Sequence, residues 1–153
     1  MYICVLNGSP KGEVSVTLQY IRYLESHFGD QHTFTTLHCA QAVQKFRKDA
    51  SFRDMALTAI QSADLLLFSY PLYFLTVSSQ YMLFLELLED AADKNILQGK
   101  YAASISTSIH FFDHTAREFI RGFAEQCGMQ YLAGVTAKMD DLLDRSFRRA
   151  WEA

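Results

Sequence analysis

The sequence predicts one α/β domain, a doubly wound, all-parallel sheet of five strands in the order 2-1-3-4-5, with helices on both faces. Three observations support this prediction. Short apolar runs alternate five times with stretches of helical periodicity. The run 65–70 is apolar with little interruption, which is typical of a strand covered on both faces. The 153 residues match the length of one compact domain, so we expect a single domain over 1–153.

Composition and charge narrow the classes of function. Half of the residues are hydrophobic, and the formal net charge is −3, so no basic excess is available for a nucleic-acid partner. No apolar run approaches the ~20 residues of a membrane span. The apolar start of the chain meets Asn7 and Gly8 too early for a secretory signal. We therefore expect a cytoplasmic protein without a nucleic-acid or membrane partner.

Neither a metal site nor a nucleophilic site is predicted. The three cysteines are far apart and form no C-x-x-C pair, so we expect reduced thiols. His110 and His114 are four residues apart, but no third ligand follows at a defined spacing. We interpret them as part of a helix start, with Asp113 as its N-cap. No Ser-His-Asp or Cys-His arrangement is evident, so no catalytic side chain is assigned.

The first half of the chain predicts two strands, at 2–6 and 32–37, separated by a helix. That helix has apolar residues at helical spacing: Leu18, Ile21, Leu24 and Phe28. Gly29 is predicted to end it in a left-handed conformation. A polar connection around Lys45, Arg47 and Lys48 is expected to lead to a second helix. The apolar stripe of this second helix comprises Phe52, Met55, Ala56, Ala59 and Ile60.

The second half predicts a helix over 78–89 with Ser78 as its N-cap, a strand at 101–106 and a helix over 113–127. A fifth strand is predicted at 130–136, and Asp140 is expected to start a last helix that completes the fold. The apolar residues of this last helix are Leu142, Leu143, Phe147 and Trp151. Open α/β sheets bind ligands at the carboxyl ends of their strands, so the loops after Leu6, Tyr70 and Ser106 should form the site.

The loop 7–17 has the features of a phosphate-binding loop. It leads directly onto a helix N-terminus, where free backbone N–H groups and the helix dipole favour an anion. Ser9, Ser15 and Thr17 add hydroxyl donors and Lys11 adds a positive charge, whereas Glu13 counts against an anion. The loop matches neither the P-loop nor the dinucleotide fingerprint, so a single phosphate suits it better. An ordinary strand-to-helix turn with a serine cap is the alternative interpretation.

The loop 70–78 places aromatic residues where a polar turn is usual. Tyr73 and Phe74 follow Pro71 at the predicted crevice, and a planar ligand ring could stack on them. The alternative is that these rings pack under a neighbouring loop or across a subunit interface.

With these two loops the sequence resembles the NAD(P)H-dependent FMN reductase family of flavodoxin-like proteins. The resemblance rests on blocks 8–11, 15–17, 63–64, 71–74 and 77–78 and on the spacing between them. It implies an FMN phosphate site formed by Ser9, Lys11, Ser15, Val16 and Thr17. It implies an isoalloxazine flanked by Pro71, Leu72, Tyr73 and Phe74. In the third loop, usually glycine-rich in the family, backbone and hydroxyl groups of Ser106, Thr107 and Ser108 would approach the ring.

Other positions depart from the family's pattern. Lys11 stands where arginine is usual, Val16 where asparagine is usual, and Met82 where the next helix often has lysine.

The resemblance implies an FMN-dependent oxidoreductase that passes hydride from NAD(P)H through FMN to a small acceptor such as a quinone or free flavin. Two alternatives remain open: a flavodoxin-like electron carrier without nicotinamide turnover, and a flavin-free domain that binds a protein partner. The helix containing 81–85 is apolar on more than one face, which predicts a homodimer.

Overall fold

A computed structural model describes residues 1–92, 94–109 and 113–138. The strands are β1 (Tyr2–Asn7), β2 (Thr33–Leu37), β3 (Leu65–Pro71), β4 (Tyr101–Ser108) and β5 (Gln130–Lys138). The helices are α1 (Val16–Phe28), α2 (Cys39–Lys48), α3 (Ala50–Ser62), α4 (Ser79–Ala91), α5 (Lys94–Leu97) and α6 (His114–Gln126). A short 3-10 turn, Gly12–Val14, precedes α1.

The five strands form one parallel sheet in the order β2-β1-β3-β4-β5, which confirms the predicted topology. Leu6 of β1 pairs with Leu37 and with Phe68, and Pro71 of β3 pairs with Thr107. The carboxyl ends of β1, β3 and β4 therefore lie side by side. The loops that follow them meet at this edge, as a doubly wound sheet requires.

The core has two parts, one on each face of the sheet. On one face α1 packs against Ile3, Val5 and Leu67. On the other face α2, α3, α4 and α6 pack against alternate strand residues such as Leu66 and Phe68. This separation follows from the strand period of two, which points neighbouring side chains to opposite faces.

The predicted polar connection after β2 is wrong, because α2 occupies it. Its polar residues Lys45, Arg47 and Lys48 belong to an amphipathic helix whose other side is buried. That buried side comprises Cys39, Ala40, Val43 and Phe46. The ring of Phe46 lies 4.9 Å from that of Phe84 on α4, measured between centroids.

Two further local predictions are wrong. Gly29 does end α1 as its C-cap residue, but its φ of −61° is right-handed instead of left-handed, and its N–H donates to the Glu25 carbonyl. Met55 does not belong to the buried stripe of α3, because it is 49% exposed, whereas Ala56 and Ile60 are buried.

The predicted helix starts differ in outcome. The Ser78 hydroxyl accepts a hydrogen bond from the Tyr81 N–H, which confirms the predicted cap of α4. Asp113 lies at the N-cap position of α6, but its carboxylate accepts from the Thr136 hydroxyl instead of a backbone N–H. The predicted last helix from Asp140 and the position of His110 lie outside the described residues.

Cys4, Cys39 and Cys127 are all free, as predicted. Among the described residues, no helix is long and apolar enough to cross a membrane. The same part of the chain contains no group of three His, Cys, Asp or Glu side chains arranged to hold a metal ion.

Candidate functional site

A cleft opens at the carboxyl edge of the sheet, where the loops after β1, β3 and β4 meet. Nine of the twelve residues predicted for the site line it: Ser9, Lys11, Ser15, Val16, Pro71, Leu72, Tyr73, Thr107 and Ser108. Ile109 also lines the cleft, although the sequence analysis did not include it among the site residues. The fold therefore brings residues from three separate segments of the chain to one place.

The first loop leaves β1 in a fixed conformation. The Gly8 N–H donates to the Ser69 carbonyl at 2.7 Å, so the loop begins as a continuation of the sheet. Gly12 has a φ of +54° and starts the 3-10 turn that delivers the chain to Ser15. Ser15 is extended and occupies the N-cap position of α1.

The Ser15 hydroxyl is the strongest indication of an anion site. This side chain is 1% exposed, yet its Oγ has no hydrogen-bond partner in the described part of the chain. It does not cap α1, although serine at this position usually does. The first turn of a helix leaves its N–H groups without intrahelical partners. A buried hydroxyl and free amides beside Lys11 thus form a donor set that fits a phosphate.

Glu13 does not oppose an anion in this cleft, contrary to the expectation from the sequence. Its carboxylate accepts hydrogen bonds from Arg22 and from His38 Nε2, the latter at 2.7 Å. Glu13 is not among the residues that line the cleft. Its charge is therefore offset by an arginine.

The second loop forms a tight hairpin. The Tyr73 N–H donates to the Thr76 carbonyl and the Thr76 N–H donates to the Tyr73 carbonyl, at 2.7 and 2.8 Å. The two residues between them, Phe74 and Leu75, both have positive φ, of 32° and 72°. Two-residue hairpins require this conformation, which usually selects glycine or asparagine. Phe74 is 96% exposed at the tip, so its apolar ring has no cover within the described chain.

Three of the predicted site residues do not line the cleft. The Thr17 and Thr107 hydroxyls bond to each other at 2.6 Å beneath the cleft floor. The Ser106 side chain lies on the opposite face of the sheet and bonds to Thr136 at 3.1 Å. Phe74 projects from the hairpin beyond the enclosed space. Thr17 and Ser106 therefore position the two loops instead of opening toward a ligand.

Helix α4 joins the first loop to the hairpin. The buried Tyr81 hydroxyl donates to the Leu6 carbonyl at 2.8 Å, and the Ser78 hydroxyl donates to the Gly8 carbonyl at 3.2 Å. The Tyr81 ring lies so close to Gly8 that a Cβ there would be 2.3 Å from a ring carbon. The start of α4 thus holds the first loop through Ser78 and Tyr81.

The enclosed part of the cleft is small, about 110 Å³. Pockets that enclose a whole small-molecule ligand usually measure about 300–1,000 Å³. A nucleotide-sized ligand would therefore place its phosphate end inside and its ring over the exposed apolar residues at the rim. A larger cavity of about 320 Å³, lined partly by Glu89 and Cys127, lies at the opposite edge of the sheet, where helices α4 and α6 end. Among the described residues, none from the loops at the carboxyl edge of the sheet lines this second cavity.

Four buried or half-buried side chains near the sheet, Cys4, Cys127, Tyr70 and Tyr81, stay protonated at neutral pH. Burial raises the pKa of the Cys4 thiol to about 12 and that of Cys127 to about 11. Burial also raises the pKa of the Tyr70 and Tyr81 hydroxyls. None of these side chains lines the cleft, so the site contains no activated nucleophile among the described residues.

Asn7 and His38 contribute to the site in a way that the sequence analysis missed. Asn7 is fully buried and its Oδ1 accepts the Ser9 N–H at 3.1 Å. His38, at the start of α2, contacts both Asn7 and Glu13. The asparagine directly before the first glycine of the loop could have been recognised from the sequence. His38 is 31 residues away from Asn7, and no sequence motif connects it to the loop.

Comparison with known proteins identifies the family of this chain. The sequence pattern of the family described as NADPH-dependent FMN reductase matches residues 1–129. No curated protein matches the sequence. Among solved structures, the apo form of the NADH:FMN oxidoreductase EmoB is similar, with a TM-score of 0.79, 17% identity and coverage of 97% of this chain and 83% of that one.

Two further solved structures are similar to this chain. An NAD(P)H:quinone oxidoreductase from Methanothermobacter marburgensis has a TM-score of 0.69 and 13% identity, covering 98% of this chain and 89% of its own. An FMN-dependent NADH-azoreductase from Bacillus anthracis str. Ames Ancestor, in complex with FMN, has a TM-score of 0.66 and 11% identity, covering 99% and 98%. At these identities the structures show that the fold is shared.

The sheet order, with a cleft at the carboxyl edge of the strands, defines a flavodoxin-like protein. The family match covers most of the sequence and makes the class more specific. The chain belongs to the NADPH-dependent FMN reductase family. It is an FMN-dependent NAD(P)H oxidoreductase, as the resemblance of its two loops predicted.

Proposed function

We propose that the cleft holds FMN by its phosphate and that NAD(P)H and a small acceptor, such as a quinone or free flavin, use the same exposed apolar surface in turn. The observation that carries this proposal is the buried Ser15 hydroxyl at the N-terminus of α1, which has no hydrogen-bond partner among the described residues. It fits a phosphate, and the apolar rim begins directly beside it. Bound FMN would supply the redox chemistry of the reaction.

The phosphate end of the cofactor would be bound by the first loop. Ser9, Ser15, Val16 and Lys11 line this part of the cleft and provide hydroxyl, amide and ammonium donors. Lysine in place of the family's arginine contributes a point charge without bidentate geometry. Val16 contributes its backbone N–H only, so the donor set depends more on Ser15 than it would with asparagine at 16.

The ring end would lie against the hairpin and the loop after β4. Tyr73 is 39% exposed, Phe74 is 96% exposed and Ile109 is 73% exposed, so a flat apolar surface is available for stacking. A flat slot of this kind binds planar molecules without strong selection among them. These side chains would act by orientation, since holding two reactants in contact supplies much of the rate without an acid or base.

We further propose that the protein acts in the cytoplasm as a homodimer. Three free cysteines suit a reducing compartment. A partner subunit would cover the exposed Phe74 and the rest of the hairpin tip, and it would enlarge the small enclosed volume at the site.

The phosphate site is tested by Ser15→Asp, which places a carboxylate against the phosphate. We expect equilibrium dialysis to show that the variant loses FMN affinity, whereas Ser51→Asp, at the exposed start of α3, retains it. If Ser15→Asp binds FMN as tightly as the parent, the phosphate is bound elsewhere.

The activity is tested by anaerobic titration with NADPH and NADH, with the flavin absorbance as the readout. We expect the parent to bleach, and Phe74→Ala to slow the reduction more than it weakens FMN binding. Phe28→Ala, at the distant end of α1, is the matched control. Flavin that binds without being bleached would indicate an electron carrier, and failure to bind FMN would indicate a flavin-free module.

A further inference from the structure

A series of hydrogen bonds connects the loop 7–17 to the start of α2. Asn7 Oδ1 accepts the Ser9 N–H at 3.1 Å, Asn7 Nδ2 lies 3.0 Å from His38 Nδ1, and His38 Nε2 lies 2.7 Å from Glu13 Oε1. Asn7 is fully buried, and the His38 side chain is 26% exposed. The side chains of Asn7, His38 and Glu13 do not line the cleft, so any effect of theirs on a ligand acts through the loop backbone.

The donors and acceptors in this series of hydrogen bonds fit only one protonation state of His38. The Ser9 N–H fixes Asn7 Oδ1 as the acceptor, so the Asn7 amide presents its NH₂ group to His38. His38 Nδ1 must then be the acceptor and carry no proton. Because Glu13 is an acceptor, His38 Nε2 must carry the proton. The loop conformation therefore requires neutral His38.

A proton on His38 Nδ1 would place two donors face to face. Rotating the Asn7 amide would relieve that contact, but its NH₂ group would then face the Ser9 N–H. In either orientation of the Asn7 amide, two donors face each other, and after the rotation the unfavourable contact lies within the loop 7–17. In the described part of the chain, the charged groups facing His38 are Glu13, whose carboxylate accepts from Nε2, and Arg22, which pairs with the same carboxylate. The neighbouring Cys39 is a neutral thiol whose hydrogen goes to the Leu37 carbonyl.

We propose that His38 is a positioning residue for the cofactor phosphate: in its neutral form it orients Asn7, which holds the Ser9 amide and the loop in the binding conformation. The inference rests on the proposed phosphate site and adds a residue from a different part of the chain. If His38 has this role, FMN binding weakens when His38 is protonated. Gln41, also on α2, supports the same loop by donating to the Pro10 carbonyl at 3.3 Å, but it does not titrate.

The test compares FMN affinity at about pH 8 and about pH 5.5, the interval in which histidine gains a proton. His38→Asn keeps an acceptor near the position of Nδ1 and removes the titration. We expect FMN affinity to fall about three- to tenfold more in the parent than in His38→Asn, the range that one hydrogen bond is worth. The phosphate of FMN also takes up a proton near this range, and this contribution cancels between parent and variant.

His27→Asn, at the far end of α1, is the matched control and should follow the parent. Asn7→Asp supplies a second check, because its carboxylate can accept from both Ser9 and protonated His38. In that variant the dependence on pH should shrink or reverse. Equal pH profiles in the parent and in His38→Asn would overturn the proposal.

A second readout needs no flavin. In the apo protein we expect the Ser9 amide resonance to move with the same midpoint as the His38 ring resonances, and His38→Asn to abolish that movement. A Ser9 resonance that ignores His38 would contradict the positioning role. Failure of the parent to bind FMN at either pH would instead refute the proposed function, because the Ser9 readout would still report on the loop.

Discussion

Gly8 lies where no side chain fits. A Cβ there would be 2.3 Å from the Tyr81 ring, which cannot move away because it is buried and its hydroxyl is bonded to the Leu6 carbonyl. The glycine is required by this close approach, since Gly8 is not among the residues with positive φ. Gly8 of the motif 8–11 therefore has a packing reason in addition to the binding role that we propose for this loop.

We expect Gly8→Ala to lower the free energy of unfolding by about 1–3 kcal/mol, the usual cost of overpacking. Gly122→Ala is the matched control, because a Cβ at this position in α6 meets nothing within 4 Å. Alanine there should stabilise the protein by up to about 1 kcal/mol through helix propensity. Urea unfolding of both variants measures the difference, and equal midpoints would show that the Tyr81 ring yields easily.

At the scale of single elements, the hairpin after β3 retains strained residues at its tip. Leu75 has a φ of 72°, a conformation that costs an L-residue about 1–2 kcal/mol. We expect Leu75→Gly to raise the thermal midpoint, because relief of this strain exceeds the entropic cost of glycine. Val135→Gly, in the regularly paired part of β5, should lower it. A fall in both variants would mean that the Leu75 side chain makes a stabilising contact.

Helix α6 is tied to β5 by Asp113 and Thr136. The Thr136 hydroxyl, together with weaker contributions from the helix start and Arg117, holds the pKa of Asp113 below its usual value. A carboxyl whose pKa is lowered by folding stabilises the native state above its unfolded pKa. That stabilisation is lost as pH falls through the native pKa.

Thr136→Val should therefore lower stability by about 1–2 kcal/mol at pH 7, and the difference from the parent should shrink as pH falls from about 5 to 2. Thr58→Val, which removes a hydroxyl bonded to a backbone carbonyl, should show no such pH dependence. Denaturant midpoints across this pH range measure both. A deficit that is constant with pH would show that Asp113 gains nothing from Thr136.

At the scale of the whole molecule, α4 and α6 leave an apolar groove between them. Its apolar floor is formed by Met82, Leu85, Phe119 and Phe123, its volume is about 340 Å³, and three glutamates also line it: Glu86, Glu89 and Glu118. Two such surfaces from two copies could pair, which agrees with the homodimer predicted from the apolar character of α4. Much of that apolar character has a second cause, since α2 covers α4 from within the same chain.

We expect sedimentation equilibrium at micromolar concentration to show a dimer, and Met82→Glu to shift it toward the 17.5 kDa monomer. Met55→Glu replaces an exposed methionine on α3 and should leave the dimer intact. A parent that is monomeric throughout would exclude the homodimer, and the exposed Phe74 would then need another explanation.

The order of strands and the general position of the site could be predicted because their signals are local. The continuous apolar run of β3, the helical spacing in α1 and the glycine and hydroxyl residues of loop 7–17 each lie within a dozen neighbouring residues. Local periodicity determines which element forms, and the handedness of crossovers then limits how parallel strands are ordered. The prediction that the cofactor is FMN came from the family resemblance and not from these local patterns.

The tertiary structure decided what each polar side chain does. Thr17 meets Thr107 across 90 residues, Ser106 meets Thr136 across 30, and Glu13 turns toward His38 instead of the cleft. A hydrogen bond between distant segments depends on which faces the packed helices and strands present to each other, and no short sequence window contains that information. The sequence by itself therefore determined the fold and the loops of this reductase. Only packing decided which of their hydroxyls face the cleft and which hold the loops in place.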